Sequence, residues 1–342
     1  MLSTNHSWLL SQLHQAKGVS SSRLASELAL LLAILLTACS APATPNPCAA
    51  SPAQAATSQS PVSLVESAWK IDGSPNKFNR PTELALDAQG NLYVVDGGNH
   101  RIQKFDCTGK FLLMWGSRGS GDGQFLFRDR GHYGAVAVDR EGRVYVADHN
   151  YRIQKFDSNG TFIAKWGSQG NGDGQFGDYI GLAVDSQGNV YAADPVNHRI
   201  QKFDSNGTFL AKWSPPKCSD FSPRPVGIAI DSQGNVYVTD PNSHCIQKFD
   251  SQGTFLTQLG DFSETELPIG IAVDTQENVY ITDNAYGVIE KFDSNGRLLA
   301  RWDSSGVPGG QFNSPQGIAV DVQGNVYVVE VSGERIQKFR QP

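Results

Sequence analysis

One line is written six times in this chain: an apolar run closing on Asp, a short turn, a Tyr-centred run closing on an acidic residue, then a run of the type Ile-Gln-Lys-Phe. The central tyrosines are Tyr93, Tyr145, Tyr191, Tyr237, Tyr280 and Tyr327, set 43 to 52 residues apart. Periods in that range belong to arrays of small sheets. A residue that recurs in every copy is most simply explained by folding, so function has to be sought where the copies differ.

The third copy is the fullest. Residues 181–185 form a short apolar strand, and Asp185, Ser186, Gln187, Gly188 and Asn189 supply turn chemistry, with Gly free to take a positive φ. Residues 190–194, 199–204 and 208–213 read as three further strands, the last entered through Ser205, Asn206 and Gly207. Connections of hairpin length make the four strands one antiparallel meander. Turns are well supplied by 35 Gly and 17 Pro, and 39% hydrophobic residues suffice for a large core. A net charge of -6 with dispersed Lys and Arg argues against nucleic acid or an anionic membrane surface as the main partner.

On these residues the chain resembles the NHL repeat family, whose copies carry Gly-Ile-Ala-Val-Asp, Gly-Asn-Val-Tyr-Val-x-Asp, Asn-His-Arg-Ile-Gln-Lys-Phe and a final Phe-x-x-x-Trp-Gly. The resemblance implies an all-β fold, a six-bladed β-propeller of four-stranded antiparallel blades. Copies five and six depart from the pattern: Gly287 and Val288 replace His-Arg, Glu277 replaces the turn Gly, and Glu330 replaces the Asp. The last copy stops at Phe339 without a fourth strand, and residues 62–71 have the look of the missing one. Trp69 is expected in the place of Trp115, Trp166, Trp213 and Trp302, with residues 62–71 pairing with 335–339 to close the ring and protect its open edges.

Ahead of the repeats stand Lys17 and Arg23, an apolar run at 28–36, then Thr37, Ala38 and Cys39. The run is too short to span a membrane, which takes about 20 residues. Its order of charged, apolar and small residues is that of a secretory signal. Leu36, Thr37, Ala38 and Cys39 resemble the lipobox of bacterial lipoproteins, which implies cleavage before Cys39 and its lipidation. Ordinary cleavage after Ala43 also fits the small-residue rule and discards Cys39. The first reading gives a lipoprotein signal peptide at 1–38, a flexible tether at 39–61 rich in Ala, Pro, Ser and Thr, and the propeller at 62–342, lipid-anchored to the bacterial membrane or cell surface.

Export bears on the cysteines, because disulfides persist outside the cytoplasm. With Cys39 lipidated, Cys48, Cys107, Cys218 and Cys245 remain, and four cysteines allow three pairings. Cys218 and Cys245 fall on one loop face of blade 4, which makes them a plausible pair. Cys107 lies on the opposite face of blade 1, where the tether carrying Cys48 should arrive. No metal-ligand spacing occurs among them.

In a four-stranded meander, the loop leading into the innermost strand and the loop between strands two and three share one face, here called the top. His100, His132, His149, His198 and His244 all sort to it, which at first suggests a metal cage. His100, His198 and His244 hold one slot in successive blades, however, and are spaced around the ring as structural residues. Asp87, Asp139, Asp185, Asp231, Asp274 and Asp321 recur at turn starts, where Asp bonds its own backbone. The Gly-rich segments 116–123 and 167–174 precede no helix and read as turns rather than phosphate cradles.

What remains is unrepeated. Phe125 to Asp139 is 14 residues, against 9 from Phe176 to Asp185 and from Phe312 to Asp321, so blade 2 carries an insertion holding Arg128, Arg130, His132 and Tyr133. The equivalent loops of other blades hold Arg80, Asp178 with Tyr179, Arg224 and Glu266. Together these residues are the candidate ligand-binding set, since loops at that position overlook the central channel. The expectation is a non-catalytic, surface-tethered binding scaffold for a protein, peptide or glycan, with no cofactor, no metal and no catalytic residues assigned. The opposing class is a metal-dependent propeller enzyme: the resemblance extends to six-bladed amidating lyases and lactonases that work at the channel mouth. Only His132 is offered here as an unrepeated His in a leading loop, whereas zinc hydrolysis wants three ligands and an open position. RNA binding, known among animal NHL proteins, is opposed by export and negative charge.

Overall fold

The structure is a computed structural model, and it describes residues 65–72, 76–127, 134–178, 181–260, 266–302 and 312–340. Its strands form six antiparallel sheets of four. Blade 3 shows the pattern, with strands Gly181–Val184, Val190–Asp194, Arg199–Phe203 and Phe209–Trp213 from the axis outward. The six innermost strands, from Pro81–Leu86 in blade 1 to Pro315–Val320 in blade 6, follow one another around the axis and close the ring.

Burial follows the radius. Second strands such as Leu92–Asp96 and Val190–Asp194 are buried at every position, whereas outer strands such as Phe111–Trp115 and Phe209–Trp213 alternate between half-buried and exposed. The apolar core lies between the blades: Tyr93, Val95 and Ile102 of blade 1 pack on Phe125, Val136, Val146 and Phe156 of blade 2.

The repeated polar residues hold this arrangement together on the bottom face. Asp185 accepts the backbone N–H groups of Gln187 and Asn189 on Oδ1, at 2.9 and 2.8 Å, and the Tyr191 hydroxyl on Oδ2 at 3.1 Å. All six copies repeat the tyrosine bond, at 2.9 to 3.2 Å. The neighbouring lysine lies over the tyrosine ring and reaches the next blade: Lys104, Lys155 and Lys202 donate to the carbonyls of Ser158, Ser205 and Ser251 at 3.1, 2.6 and 3.2 Å. One Tyr-Lys pair thus fixes both the blade's turn and the spacing to its neighbour.

Blade 6 is completed by the strand Val65–Ile71, antiparallel to Arg335–Arg340; residues 62–64 lie outside the described part. The register differs from expectation. Ile71, not Trp69, faces Ile336, the position that Trp115 takes opposite Ile102, while Trp69 faces Lys338. Two irregularities, between Val65 and Ser67 and between Ser67 and Trp69, advance the strand. Ile71 then packs on the cluster of Phe78, Leu84, Tyr327 and Ile336.

Candidate functional site

The top face is built by two repeated devices. The first ties the loop between strands two and three of blades 1, 3 and 4 to the leading loop of the next blade. His100 Nδ1 accepts the Phe127 N–H at 3.1 Å, His198 Nδ1 pairs with the Pro223 carbonyl at 2.5 Å, and His244 Nδ1 with that of Glu266 at 2.6 Å. All three histidines take the left-handed backbone region, with φ of 53°, 56° and 52°. The repeated histidines are therefore spread around the ring as ties between blades.

The second device is a buried Asp-Arg-Gln set. In blade 2, Arg152 lies beside Asp148 and donates to the carbonyls of Ser120, Gly121 and Gln124 at 2.7, 3.1 and 2.9 Å. Arg199 does the same in blade 3 with Asn171, Gly172 and Gln175. The Gly-rich segments thus turn carbonyl oxygens toward a guanidinium, the opposite of an anion cradle.

Blades 4 and 5 lack that arginine. In blade 4, Cys245 takes its place and is joined to Cys218, with Cα atoms 6.4 Å apart. Cys107 is also disulfide-bonded, while its expected partner Cys48 lies outside the described residues. In blade 5, Val288 stands for the arginine and Glu290 for the glutamine. Asp283, fully buried, keeps one carboxylate oxygen without a hydrogen bond. Burial pushes the Glu290 carboxyl up to about 7 against the pull of Arg301, which bridges Glu290 and Glu266 at 3.3 and 3.4 Å.

The candidate residues divide accordingly. Arg80 lines a polar cavity of about 330 Å³ with Asn284, Ser314, Gln316, Val331, Ser332 and Glu334, drawn from blades 1, 5 and 6. Three of these residues, Arg80, Ser314 and Glu334, hold φ of 52°, 57° and 46°, a conformation that costs on the order of 1 to 3 kcal/mol each outside glycine. Asp178 is paired with the buried His149 at 2.9 Å. Arg224 is exposed, and its backbone N–H donates to Asp240 at 2.7 Å. Glu266 is engaged by Arg301. The structure thus places Arg80, Asp178, Arg224 and Glu266 in the leading loops of blades 1, 3, 4 and 5 instead of gathering them in one pocket. Arg128, Arg130, His132, Tyr133 and Tyr179 lie outside the described residues, as does Cys39. Among the described residues, no group of three or more His, Cys, Asp or Glu side chains is placed to hold a metal ion.

A second cavity of about 220 Å³ runs along the axis between the innermost strands. Its lining side chains are aliphatic except for one. Four residues before the turn Asp, blades 3 to 6 carry Gly181, Gly227, Gly270 and Gly317, and blade 2 carries Ala135; blade 1 carries Glu83. Glycine is required because the next blade comes so close: a Cβ on Gly227 or Gly270 would lie 2.2 or 2.0 Å from a backbone carbonyl oxygen. Setting the six copies in register on that Asp would have revealed the exception.

The family model of the NHL repeat matches residues 78–105, 180–203, 223–249 and 312–339, in blades 1, 3, 4 and 6. Among curated proteins, mouse NHL repeat-containing protein 3 is 35% identical over 100 residues, 27% of each chain. Drosophila melanogaster protein brain tumor is 33% identical over 94 residues, which are 27% of this chain and 9% of that protein. A probable peptidyl-alpha-hydroxyglycine alpha-amidating lyase of Caenorhabditis elegans is 32% identical over 93 residues, 26% of this chain and 25% of the lyase. The matched stretches thus span about a quarter or less of these relatives. Among solved structures, virginiamycin B lyase from Staphylococcus aureus with quinupristin superposes at a TM-score of 0.56, with 12% identity, covering 80% of this chain and 87% of the lyase. A gluconolactonase from Xanthomonas campestris gives 0.56 at 17% identity, covering 78% and 87%. At such identities the likeness is one of fold. Repeat matches, blade count and strand order agree: the chain is a six-bladed β-propeller that carries NHL repeats in four of its blades.

Proposed function

We propose that this chain is an exported, surface-tethered binding scaffold that takes a protein, peptide or glycan on the top face of its propeller and performs no chemistry on it. The observation that carries this reading is the polar cavity shared by blades 5, 6 and 1. Its rim offers Arg80 and Glu334 as opposite charges, with hydroxyl and amide groups from Ser314, Ser332, Asn284 and Gln316 between them. Convergent polar groups held by a rigid frame suit recognition of a polar ligand.

The test is binding of the propeller, residues 62–342, to glycan and peptide arrays beside its Arg80→Ala and Glu334→Ala variants. At least a tenfold loss in both variants is expected, and equal binding by all three proteins would refute the site. The tether is tested by mass spectrometry of the membrane fraction. An acylated chain beginning at Cys39 is expected; an unmodified chain beginning at Thr44 would overturn it.

A second reading, a metal-dependent lyase or lactonase with its site at the channel mouth, is favoured by the likeness to an amidating lyase over 93 residues. It predicts stoichiometric zinc or calcium in the purified protein and an activity that a chelator abolishes. Finding both would reverse the ranking.

A further inference from the structure

The axial channel holds a carboxylate where the repeat provides for none. Glu83 replaces the glycine of blades 3 to 6. It fits because its neighbour on the adjoining innermost strand, in blade 6, is Gly317, whose Cβ, were there one, would lie 2.7 Å from Glu83 Oε1. The backbone N–H of Leu84 donates to that oxygen at 3.1 Å. Among the described residues no Lys, Arg or His forms an ion pair with Glu83, and it is the one charged side chain in the described channel wall. The other side chains of the wall are aliphatic, including Leu86, Val138, Ile228, Ile271 and Val320, with polar backbone groups exposed between them.

An unpaired carboxylate in such surroundings takes up either a proton or a cation. Burial accordingly pushes the Glu83 carboxyl up to about 7. The surroundings also limit which cation fits. Calcium takes six to eight oxygen ligands and magnesium an octahedron of them, whereas Glu83 is the one carboxylate in the described channel wall, whose other polar groups belong to the backbone. A cation with an apolar body satisfies both features at once.

We propose that the axial channel is a binding site for a small primary amine, its ammonium group on the Glu83 carboxylate and its hydrocarbon body against the aliphatic wall. The cavity of about 220 Å³ sets the size: it is smaller than the pockets of ~300 Å³ and more that take drug-sized ligands, so the body is short. This site is separate from the polar cavity at Arg80.

Calorimetric titration at pH 8 tests the assignment with three probes: n-butylamine, n-butanol as a ligand of similar shape without charge, and calcium chloride. Saturable binding of one n-butylamine per chain is expected, weakened at least tenfold in Glu83→Gln, while n-butanol treats both proteins alike. Arg80→Ala should leave amine binding unchanged, which separates this site from the top-face cavity. Should Glu83→Gln fail to unfold cooperatively, Glu83→Gly, which writes the residue of four other blades, gives the same comparison. The assignment is overturned if wild type shows no saturable amine binding, if Glu83→Gln binds the amine equally well, or if calcium binds and excludes the amine.

Discussion

Ile71 faces Ile336 across the seam of blade 6, in the register that places Trp115 opposite Ile102 in blade 1. The ring is therefore closed by pairing the first of the described strands with the last. A chain lacking residues 62–71 should lose about 2 kcal/mol or more, lowering Tm by on the order of 5 °C. It should also associate through its bared edge strand. Calorimetry and size-exclusion chromatography would record both effects, and unchanged stability would mean that the closing strand is dispensable.

Glu83 predicts a pH dependence whose sign is fixed by the direction of its shift. Its carboxyl rises from 4.5 in the unfolded chain to about 7 in the fold. Below pH 4.5 both states hold the proton and there is no penalty. Between 4.5 and 7 the unfolded chain releases it while the fold retains it, so stability falls, and above 7 the loss is complete at roughly 1 to 3 kcal/mol. Glu83→Gln should thus be more stable than wild type at pH 8 and equal to it at pH 4. Urea titrations at the two pH values provide the measurement.

The Cys218 to Cys245 bridge closes a loop of 27 residues. Reduction, or Cys218→Ser with Cys245→Ser, should cost about 3 kcal/mol by loss of that closure. Peptide mapping without reductant identifies the bridge, and thermal melts with and without reductant size its effect.

Arg152 neutralises Asp148 and gathers three carbonyls of the preceding Gly-rich loop. In Arg152→Met a buried carboxylate is left unpaired, at a cost of about 3 to 5 kcal/mol. Hydrogen exchange should then quicken across residues 116–125 before any other segment. Uniform exchange would show that the loop holds itself.

Much of this fold could be read from the chain because each strand repeats its residues: Tyr191, Lys202 and Asp185 meet in the structure as their recurrence in six copies implies. Trp69 misled because the irregular pairing of its strand leaves no mark in composition, so an aromatic residue two positions early looked like the right one. Glu83 was overlooked for another reason. It stands within an apolar strand, and one charge there is noticed only when the six copies are set in register. The cavity at Arg80 draws Asn284, Ser314 and Glu334 from three blades, and residues so far apart in the chain carry no shared spacing to link them. The four candidate residues of the blade 2 insertion, Arg128, Arg130, His132 and Tyr133, fall outside the described part of the chain.

Pairing Val65–Ile71 with Arg335–Arg340 also sets a timetable for biosynthesis. Of the described strands, the first to leave the ribosome pairs only with the last and stays open until that strand is released. The ring can therefore close only after translation of the last blade is complete, and a product truncated within blade 6 would carry two bare edges instead of a weaker circle.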